Sequence, residues 1–453
     1  MGKKNFPIRA LIKRIGERKI SFDKTVLRQH FRDRSFHKEH VPDAVVFPKD
    51  LNDVVNIILF AKEWKIPVTP WGGGSGLEGN SIPIRGGISL DMTRMNKIIH
   101  VYQKDFQVRV QPGISGEVLN RKLEKYNVCV PAFPGSADIA TVGGMVATNA
   151  GGMYTLQYGV VGDWVLELTV VDGNGKVIKV GSRSFKSVAG YDLKHLFIGS
   201  EGTLGVICEI VFRVGHIPDG KRTGIISSSS ERKLFELADT ILAKLSPAAL
   251  EFLDEEYGRL INTVQGRKVF PGPSLIVEFH GSKLESEEKN LVQLCKKVGA
   301  LYHPWKNRNS QSIWQVRKSV RMSLQESFPQ KGIMLGDVGM PRSFIPVFIK
   351  KMKAIGKKMG VKTAIFGHLG DGNFHAWSFY DLGNEKSFDR AKRCNEKLVS
   401  FVIANGGTCT AEHGVGIGKR EFLKLEHGDT MDEFHKVKKL FDPMGILNPG
   451  KVI

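Results

Sequence analysis

Residues 70–79 read PWGGGSGLEG, and Gly74-Ser75-Gly76-Leu77-Glu78-Gly79 within them matches the glycine pattern GxGxxG. That pattern marks a dinucleotide turn only where a helix opens on its last glycine, so that the helix N-terminus meets the pyrophosphate. Upstream, the context agrees. DAVVFP (43–48) reads as a buried strand, and KDLNDVVNIILFAKEWK has helical spacing at Leu51, Val54, Val55, Ile58 and Ala61 behind Asp50 as N-cap. IPVTP is then a second strand, so a β-α-β unit leads into the loop. Downstream, the context fails: Asn80-Ser81-Ile82-Pro83 runs into GGISLDM, a strand, and no helix can start there. The loop is not a Rossmann turn. Five of the eight residues from Gly72 to Gly79 are glycine, and consecutive bare amides make a nest for an anion. A loose surface turn is the competing explanation.

Farther along, QVRVQPG (107–113) alternates as a strand and SGEVLNRKLEKYN reads as a helix. PAFPGSADIATVGGMVATNAGG (131–152) is a second small-residue stretch, suited either to backbone packed on a flat or phosphate-bearing ligand or to tight helix packing. VLELTVVDGNGKVIKVG (165–181) predicts a hairpin turning at Asp172-Gly173-Asn174-Gly175. LFIGSEGTLGVICEIVFRV (196–214) predicts a glycine-interrupted strand pair, and GHIPDGKRTGIISSSSERK (215–233) a domain junction. Beyond it, helices such as RKLFELADTILAKL (232–245) alternate with strands such as SLIVEFHG (274–281), with no fixed repeat.

A chain of 453 residues exceeds one core, so two or three domains are expected. The net charge of +20 is spread along the chain without a basic tail or a nucleic-acid motif, which weighs against nucleic acid and towards an acidic partner or substrate or an anionic membrane surface. Cys129, Cys208, Cys295, Cys394 and Cys409 form no CxxC pair, which excludes a zinc ribbon or an iron–sulfur cluster within this chain and suits a reducing compartment. No apolar run approaches the roughly 18 residues of a membrane span. The start MGKKNFPIRALIKRIGERK lacks an apolar signal core, and Phe6 stands where a myristoylation motif needs Ser or Thr. Ile8, Leu11, Ile12 and Ile15 predict one face of a short basic helix packed on the domain, with a membrane-surface anchor as the alternative. His368 and His375 bracket GDGN, and AEHG supplies Glu412 and His413. Two histidines and a carboxylate suit a divalent metal with open positions, and core histidines satisfied by hydrogen bonds are the alternative. Because 368 and 375 are not at helical spacing, a loop or bent strand must bring them together.

PWGGGSGLEG, GSADIATVGGMVATNAGG, YGVVGDWVLELTVVDGNG, VAGYDLKHLFIGSEGTLGVI, GHLGDGNFH, AEHGVGIGK and DPMGILNPGK occur in one order. In that order the chain resembles, from about Val41 to its C-terminus, the FAD-linked D-2-hydroxyacid dehydrogenases, whose types include glycolate oxidase and D-lactate dehydrogenase. These belong to the vanillyl-alcohol oxidase / para-cresol methylhydroxylase superfamily. The resemblance implies an α+β fold: a PCMH-type FAD-binding domain of two α/β subdomains, plus an α+β substrate (cap) domain with an antiparallel sheet. It implies a basic N-terminal segment (1–40) packing on the FAD domain (41–215), a substrate domain (216–405), and a C-terminal segment (406–453) that carries catalytic residues back to the FAD domain.

The resemblance also assigns roles. Pro70, Gly72, Gly73, Gly74, Ser75, Gly76 and Leu77 would line the FAD pyrophosphate. Gly135, Ser136, Thr141, Gly143, Gly144 and Asn149 would contact pyrophosphate, ribityl or isoalloxazine, with Glu201, Gly202 and Ile207 near the adenine side and Asn448 returning to the flavin domain. The loop has no His or Cys, so the FAD would be non-covalent. His368, His375 and Glu412 would bind a divalent metal, Zn or Mn, with His413 as general base and Arg317 clamping the substrate carboxylate. Leu335 cannot hold a second carboxylate, although Arg321 can, which points to a small D-2-hydroxy acid, D-lactate or glycolate. Electrons would pass to a separate acceptor: an iron–sulfur subunit, quinone, cytochrome or electron-transfer flavoprotein. The expected location is cytoplasmic, with peripheral contact at the inner face of the membrane. A metal-free FAD oxidase of sugars or alcohols and a basic nucleic-acid-binding protein are the competing readings.

Overall fold

The computed structural model describes residues 6–306 and 312–453, so the Met1-Gly2 start lies outside the described residues. The chain divides into two units, Met1–Gly151 with Val160–Ile217 and Glu412–Ile453, and Gly152–Gly159 with Pro218–Ala411.

In the first unit, β1 (Ile20–Ser21), β2 (Ala44–Val46), β3 (Val68–Trp71) and β4 (Ile88–Asp91) form a sheet of order β1-β2-β4-β3, with β4 parallel to β2 and to β3. Every residue of β2 and β4 is buried, as parallel strands covered on both faces require. The helix Leu51–Trp64 provides the crossover between parallel strands, and Asp50 caps it by accepting the Asp53 amide at 2.9 Å. Val54, Ile57, Ile58 and Ala61 of that helix pack with Ala44, Val46, Val68 and Leu90 from the first sheet and Val171, Val206 and Cys208 from a second. Each fully buried Ile or Val contributes roughly 1.5–3 kcal/mol by leaving water. The N-terminal helix Ile8–Ile15 seats Leu11 and Ile15 in this cluster while Ile8 stays exposed, so its packing face is narrower than the four-residue stripe.

The second sheet contains β5 (Ile98–Tyr102), β6 (Gln107–Val110), β8 (Val165–Asp172), β9 (Val177–Gly181) and β10 (Gly205–Arg213), in the order β5-β6-β10-β8-β9. A separate short pair joins β7 (Val128–Cys129) to β11 (Gly215–His216). The β8–β9 hairpin turns where the Asp-Gly-Asn-Gly signal puts it. The strand pair expected over 196–214 is instead a single strand, β10, entered through a turn. Glu201 and Gly202 both adopt positive φ there, which ends extended backbone before Gly205. The C-terminal residues run along the open edge of β3: the Val68 amide donates to Ile446 and the Asn448 amide to Val68, at 2.8 and 2.7 Å. This covers an edge that would otherwise pair with other chains.

The second unit is built on one antiparallel sheet. Its strands are β12 (Lys221–Ser227), β13 (Ala249–Leu253), β14 (Ser274–His280), β15 (Leu301–Pro304), β16 (Lys331–Leu335), β17 (Val338–Gly339), β18 (Thr363–His368) and β19 (Asn373–Asp381). The order is β15-β12-β14-β13-β18-β19-β16, with β17 pairing β19. Helices Glu255–Gln265 and Ile313–Ser327 cover one face through Tyr257, Leu260, Ile261, Val316, Val320 and Leu324. Helices Glu231–Lys244 and Ile345–Met359 lie on the other, where Phe235 meets Phe252 and Phe348 meets Phe374. Among the described residues, no helix is long and apolar enough to cross a membrane.

Residues Gly152–Gly159 leave the first unit only to lodge in the second, held by a buried carboxylate. Glu278, 2% exposed on β14, accepts from Tyr154 Oη at 2.7 Å, Thr223 Oγ1 at 2.6 Å and Trp314 Nε1 at 2.7 Å, and lies 2.8 Å from His280 Nε2. Tyr158 Oη reaches the other nitrogen of that imidazole at 2.8 Å. Burial pushes the Glu278 pKa up, but the hydrogen bonds from His280, Thr223, Trp314 and Tyr154 outweigh it and hold the group at about 2, below its ordinary 4.5. A depressed carboxylate pKa stabilises the fold above the unfolded value, and that stability is lost as pH falls through the folded value. Glu278→Gln is therefore expected to lose on the order of 3 kcal/mol at neutral pH, from the 1.36 kcal/mol carried by each pKa unit. Urea denaturation of both proteins from pH 7 to 3 checks this: the gap narrows below pH 4.5, and a pH-independent gap removes the electrostatic account.

Candidate active site

The glycine loop leaves the carboxyl end of β3, the end of a parallel strand at which α/β sheets take ligands. Its residues 72–77 are half-buried. Among the described residues, no protein acceptor receives a hydrogen bond from the amides of 73–77. A Cβ on Gly73 would lie 1.9 Å from the carbonyl oxygen of Ile139, and one on Gly72 would lie 2.3 Å from Thr141 Oγ1. The two small-residue stretches are thus pressed together, and only glycine permits that approach. Thr141 turns its hydroxyl to cap the helix Val142–Ala147 at the Gly144 amide, and Gly143 donates to Pro112 at 2.8 Å. Gly135 and Ser136 lie in the turn ahead of it, with Ser136 accepting from Ile139 and Ala140. Asn149 accepts from the Gly162 amide at 3.0 Å. A row of amides without protein acceptors among the described residues, beside a helix N-terminus, suits a diphosphate, so these residues fit the flavin nucleotide that the resemblance implies.

Three of the residues expected at the cofactor have their polar atoms taken up by the protein, or none to offer. The Glu201 carboxylate, 5% exposed, accepts from Asn80 Nδ2 at 2.7 Å and from the Val415 and Gly416 amides at 2.6 and 2.9 Å. Burial raises its pKa, with those three donors opposing. Asn448 donates to the carbonyls of Asn80 and Glu201 and accepts from Lys451 Nζ. Ile207 is buried in β10. These contacts tie AEHGVGIGK and LNPGK to the glycine loop. Gly202 packs on the ring of Pro70, whose own exposure is intermediate, as is that of Leu77. Glu78, the loop's buried acid, lies 3.8 Å from His413 Nδ1 and 4.0 Å from Lys419 Nζ, and the Glu412 carboxylate is 3.8 Å from His413 Nε2.

In the second unit, strand alternation sets out the chemistry. In β18 and β19, Phe366 pairs His375 and His368 pairs Asn373. Side chains two apart share a face, so the two histidines are diagonal neighbours on one face, with ring centroids 5.6 Å apart. No bent strand is needed: a tight hairpin does it. Gly372 closes the turn with φ +87, and a Cβ there would meet the Met340 carbonyl at 2.1 Å.

Two buried carboxylates, neither foreseen as part of the site, serve these histidines. Glu251, cross-strand partner of His368, hydrogen-bonds His368 Nδ1 with one oxygen and pairs with Arg317 Nη2 at 2.7 Å with the other. Burial pushes its pKa up, but Arg317 and His368 outweigh burial and hold it below the usual range. Arg317 also lies over the Phe366 ring at 5.1 Å. Asp337 lies 3.8 Å from His375 Nδ1 and accepts from Asn373 Nδ2, Thr410 Oγ1 and the Ala411 amide at 2.7, 2.7 and 3.0 Å. Arg321 is half-buried one turn beyond Arg317, and Leu335 packs against the apolar cluster. The structure thus gathers His368, His375 and Arg317 at one sheet face of the second unit and puts Glu412 and His413 in the first. A usable signal for Glu251 existed in ALEFL, where a lone acid sits in a strand whose every residue is buried.

A glycine loop suited to a diphosphate, and a sheet with paired histidines beneath a helix-borne arginine, agree with the class that the family matches show, a flavin-dependent oxidoreductase. The chain belongs to the FAD-linked oxidase family: residues 42–181 match the FAD binding domain, and residues 217–452 match the C-terminal domain of FAD linked oxidases. It is 34% identical over 428 residues to the mitochondrial D-lactate dehydrogenase (cytochrome) of Arabidopsis thaliana, covering 92% of this chain and 75% of that one. It is 32% identical to the glycolate oxidase subunit GlcD of Bacillus subtilis, covering 91% and 89% of the two chains. The structure of p-cresol methylhydroxylase with substrate bound superposes with a TM-score of 0.81 at 17% identity, over 98% of this chain and 96% of that one.

Gly73→Ala tests the loop. With a carbonyl oxygen 1.9 Å from the new methyl group, the two stretches must separate. Purified variant is expected to keep its far-ultraviolet circular dichroism and lose most of its visible flavin absorbance. Full flavin occupancy would show that close approach is not what forms the site.

Proposed function

We propose that this protein oxidises a small D-2-hydroxy acid, D-lactate or glycolate, to the 2-oxo acid and passes the electrons to a separate acceptor. The relatives named for D-lactate and glycolate support the substrate class. The observation that carries the reading is the sheet face that holds His368 and His375, with Arg317 reaching it from the helix Ile313–Ser327. It combines metal-ligand nitrogens with a planar cation suited to a carboxylate.

Residues 72–77 hold the pyrophosphate through their amides, with the stretch 135–149 packed beside them. When bound, the flavin accepts the hydride removed from the substrate carbon. His368 and His375 are the nitrogen ligands for a divalent cation, Zn or Mn. Glu412 is the carboxylate ligand in this reading, as the resemblance implies. When bound, the cation lowers the cost of developing alkoxide charge on the substrate hydroxyl. Arg317 binds and orients the substrate carboxylate, while its pairing with Glu251 fixes the guanidinium in place. His413 takes the hydroxyl proton as general base. Leu335 offers no charge to a second carboxylate, although Arg321 could, and a monocarboxylate is favoured.

Anaerobic stopped-flow with D- and L-hydroxy acids, following flavin bleaching near roughly 450 nm, tests the proposal. A D-enantiomer preference is expected, with D-lactate or glycolate bleaching fastest. His413→Ala should retain flavin and lose about 10²–10⁴ in bleaching rate, the usual contribution of a general base. Chelation should abolish turnover and divalent cation restore it. Full activity after chelation, with no metal in the sample, would remove the ligand assignment.

A further inference from the structure

Glu251 is 0% exposed, sits in the centre of the sheet, and is engaged at both oxygens by groups of different chemistry. One oxygen is against His368 Nδ1 and the other is 2.7 Å from Arg317 Nη2. A buried carboxylate costs the fold several kcal/mol unless it is paired, and an apolar strand-mate in place of the whole ion pair would fill β13 at no greater cost. The pairing also dictates the histidine's state. An ionised carboxylate can only accept, so Nδ1 must carry a proton, and in the neutral imidazole that metal binding requires Nε2 then presents the lone pair. The same carboxylate draws in the guanidinium by charge, since Arg317 enters from the helix Ile313–Ser327 and reaches Glu251 at 2.7 Å beside the face of Phe366.

We infer that Glu251 is a positioning residue that couples two halves of the site, orienting the metal-binding nitrogen of His368 and the carboxylate-binding guanidinium of Arg317 through one side chain. The inference rests on the metal reading above and extends it to how metal affinity and substrate affinity are linked. Because one carboxylate orients both groups, its loss weakens cation binding and substrate binding together, although it touches neither ligand.

The test uses the full chain loaded with FAD, and Co²⁺ alone as the metal probe, titrated into chelator-treated protein and followed by its visible ligand-field bands. Wild type is expected to bind one Co²⁺. Glu251→Gln keeps the size of the side chain but removes its charge, and is expected to bind Co²⁺ about 10–100-fold more weakly, the usual effect of losing a partner of a ligating histidine. The same variant should raise KM for the hydroxy acid more than it lowers kcat at saturating metal, with flavin content unchanged. Glu251→Asp retains the charge with a shorter reach and should fall between the two. If Glu251→Gln does not fold, the Asp variant decides alone: unchanged Co²⁺ affinity overturns the inference. A wild type that binds Co²⁺ with a Gln variant of equal affinity overturns it too, leaving the metal reading intact. A wild type that binds no Co²⁺ removes the metal reading and the coupling with it.

Discussion

A charge taken out of water must find its partners inside the protein, and four carboxylates of this chain are bound by that rule. Glu201, Glu251, Glu278 and Asp337 are each 5% exposed or less. Isolated, each would cost several kcal/mol, and each instead gathers donors from distant parts of the sequence. Glu201 fastens Asn80 to the Val415–Gly416 turn. Glu251 joins β13 to β18 and to the helix that carries Arg317. Glu278 anchors Tyr154 of the 152–159 excursion beside Thr223 and Trp314. Asp337 ties Asn373 to Thr410 and Ala411. These are directional contacts, and together they fix which loops meet where. Apolar packing, which is non-directional, could not do this alone.

The fold was legible wherever a local pattern decided it. Asp50 ahead of Leu51–Trp64, the Asp-Gly-Asn-Gly turn and the missing helix after Gly79 are short-range signals, and the structure follows each of them. The stretch over 196–214 was not legible in this way, because Glu201 adopts positive φ under demands made from residues 80, 415 and 448. The same limit applies to the candidate site. His368 and His375 announce themselves by residue type and proximity in sequence. Glu251 and Asp337 lie 117 and 36 residues from their respective partners His368 and Asn373. Their roles are settled by sheet order, which one sequence does not state. What the sequence did offer was a composition anomaly, acids within apolar strands, whose physical cost implies a purpose.

Buried ion pairs are weak evidence for stability, since well-packed apolar residues of equal volume often do as well or better. The acids on the β12–β19 sheet therefore ask for another explanation, and their distribution supplies one. The face toward helices Glu255–Gln265 and Ile313–Ser327 carries Glu278, Glu251, His368 and His375 in succession across neighbouring strands β14, β13, β18 and β19, while Phe252 and Phe374 on the reverse face pack as an ordinary core. The same face also carries Leu253, Ile276, Phe366 and Trp377 of the apolar cluster, so the polar row is set within packed core and its charges must be satisfied by one another.

The two ends of that polar row differ in a way that bears on chemistry. Around Glu278, all the partners are donors with little else to offer: two aromatic side chains, a hydroxyl and an imidazole that is itself held by Tyr158. The result is a closed network, suited to fastening the segment that follows the second small-residue stretch. Around Glu251 the partners are an imidazole and a guanidinium, groups that each carry more than one hydrogen-bonding nitrogen. His368 has Nε2 opposite the nitrogen that Glu251 holds, and Arg317 has the rest of a planar fork. A carboxylate whose partners are exhausted holds structure together. One whose partners are an imidazole and a guanidinium holds side chains that can also bind and orient a ligand, which is why the proposed reading centres on the β13–β18–β19 end of the sheet.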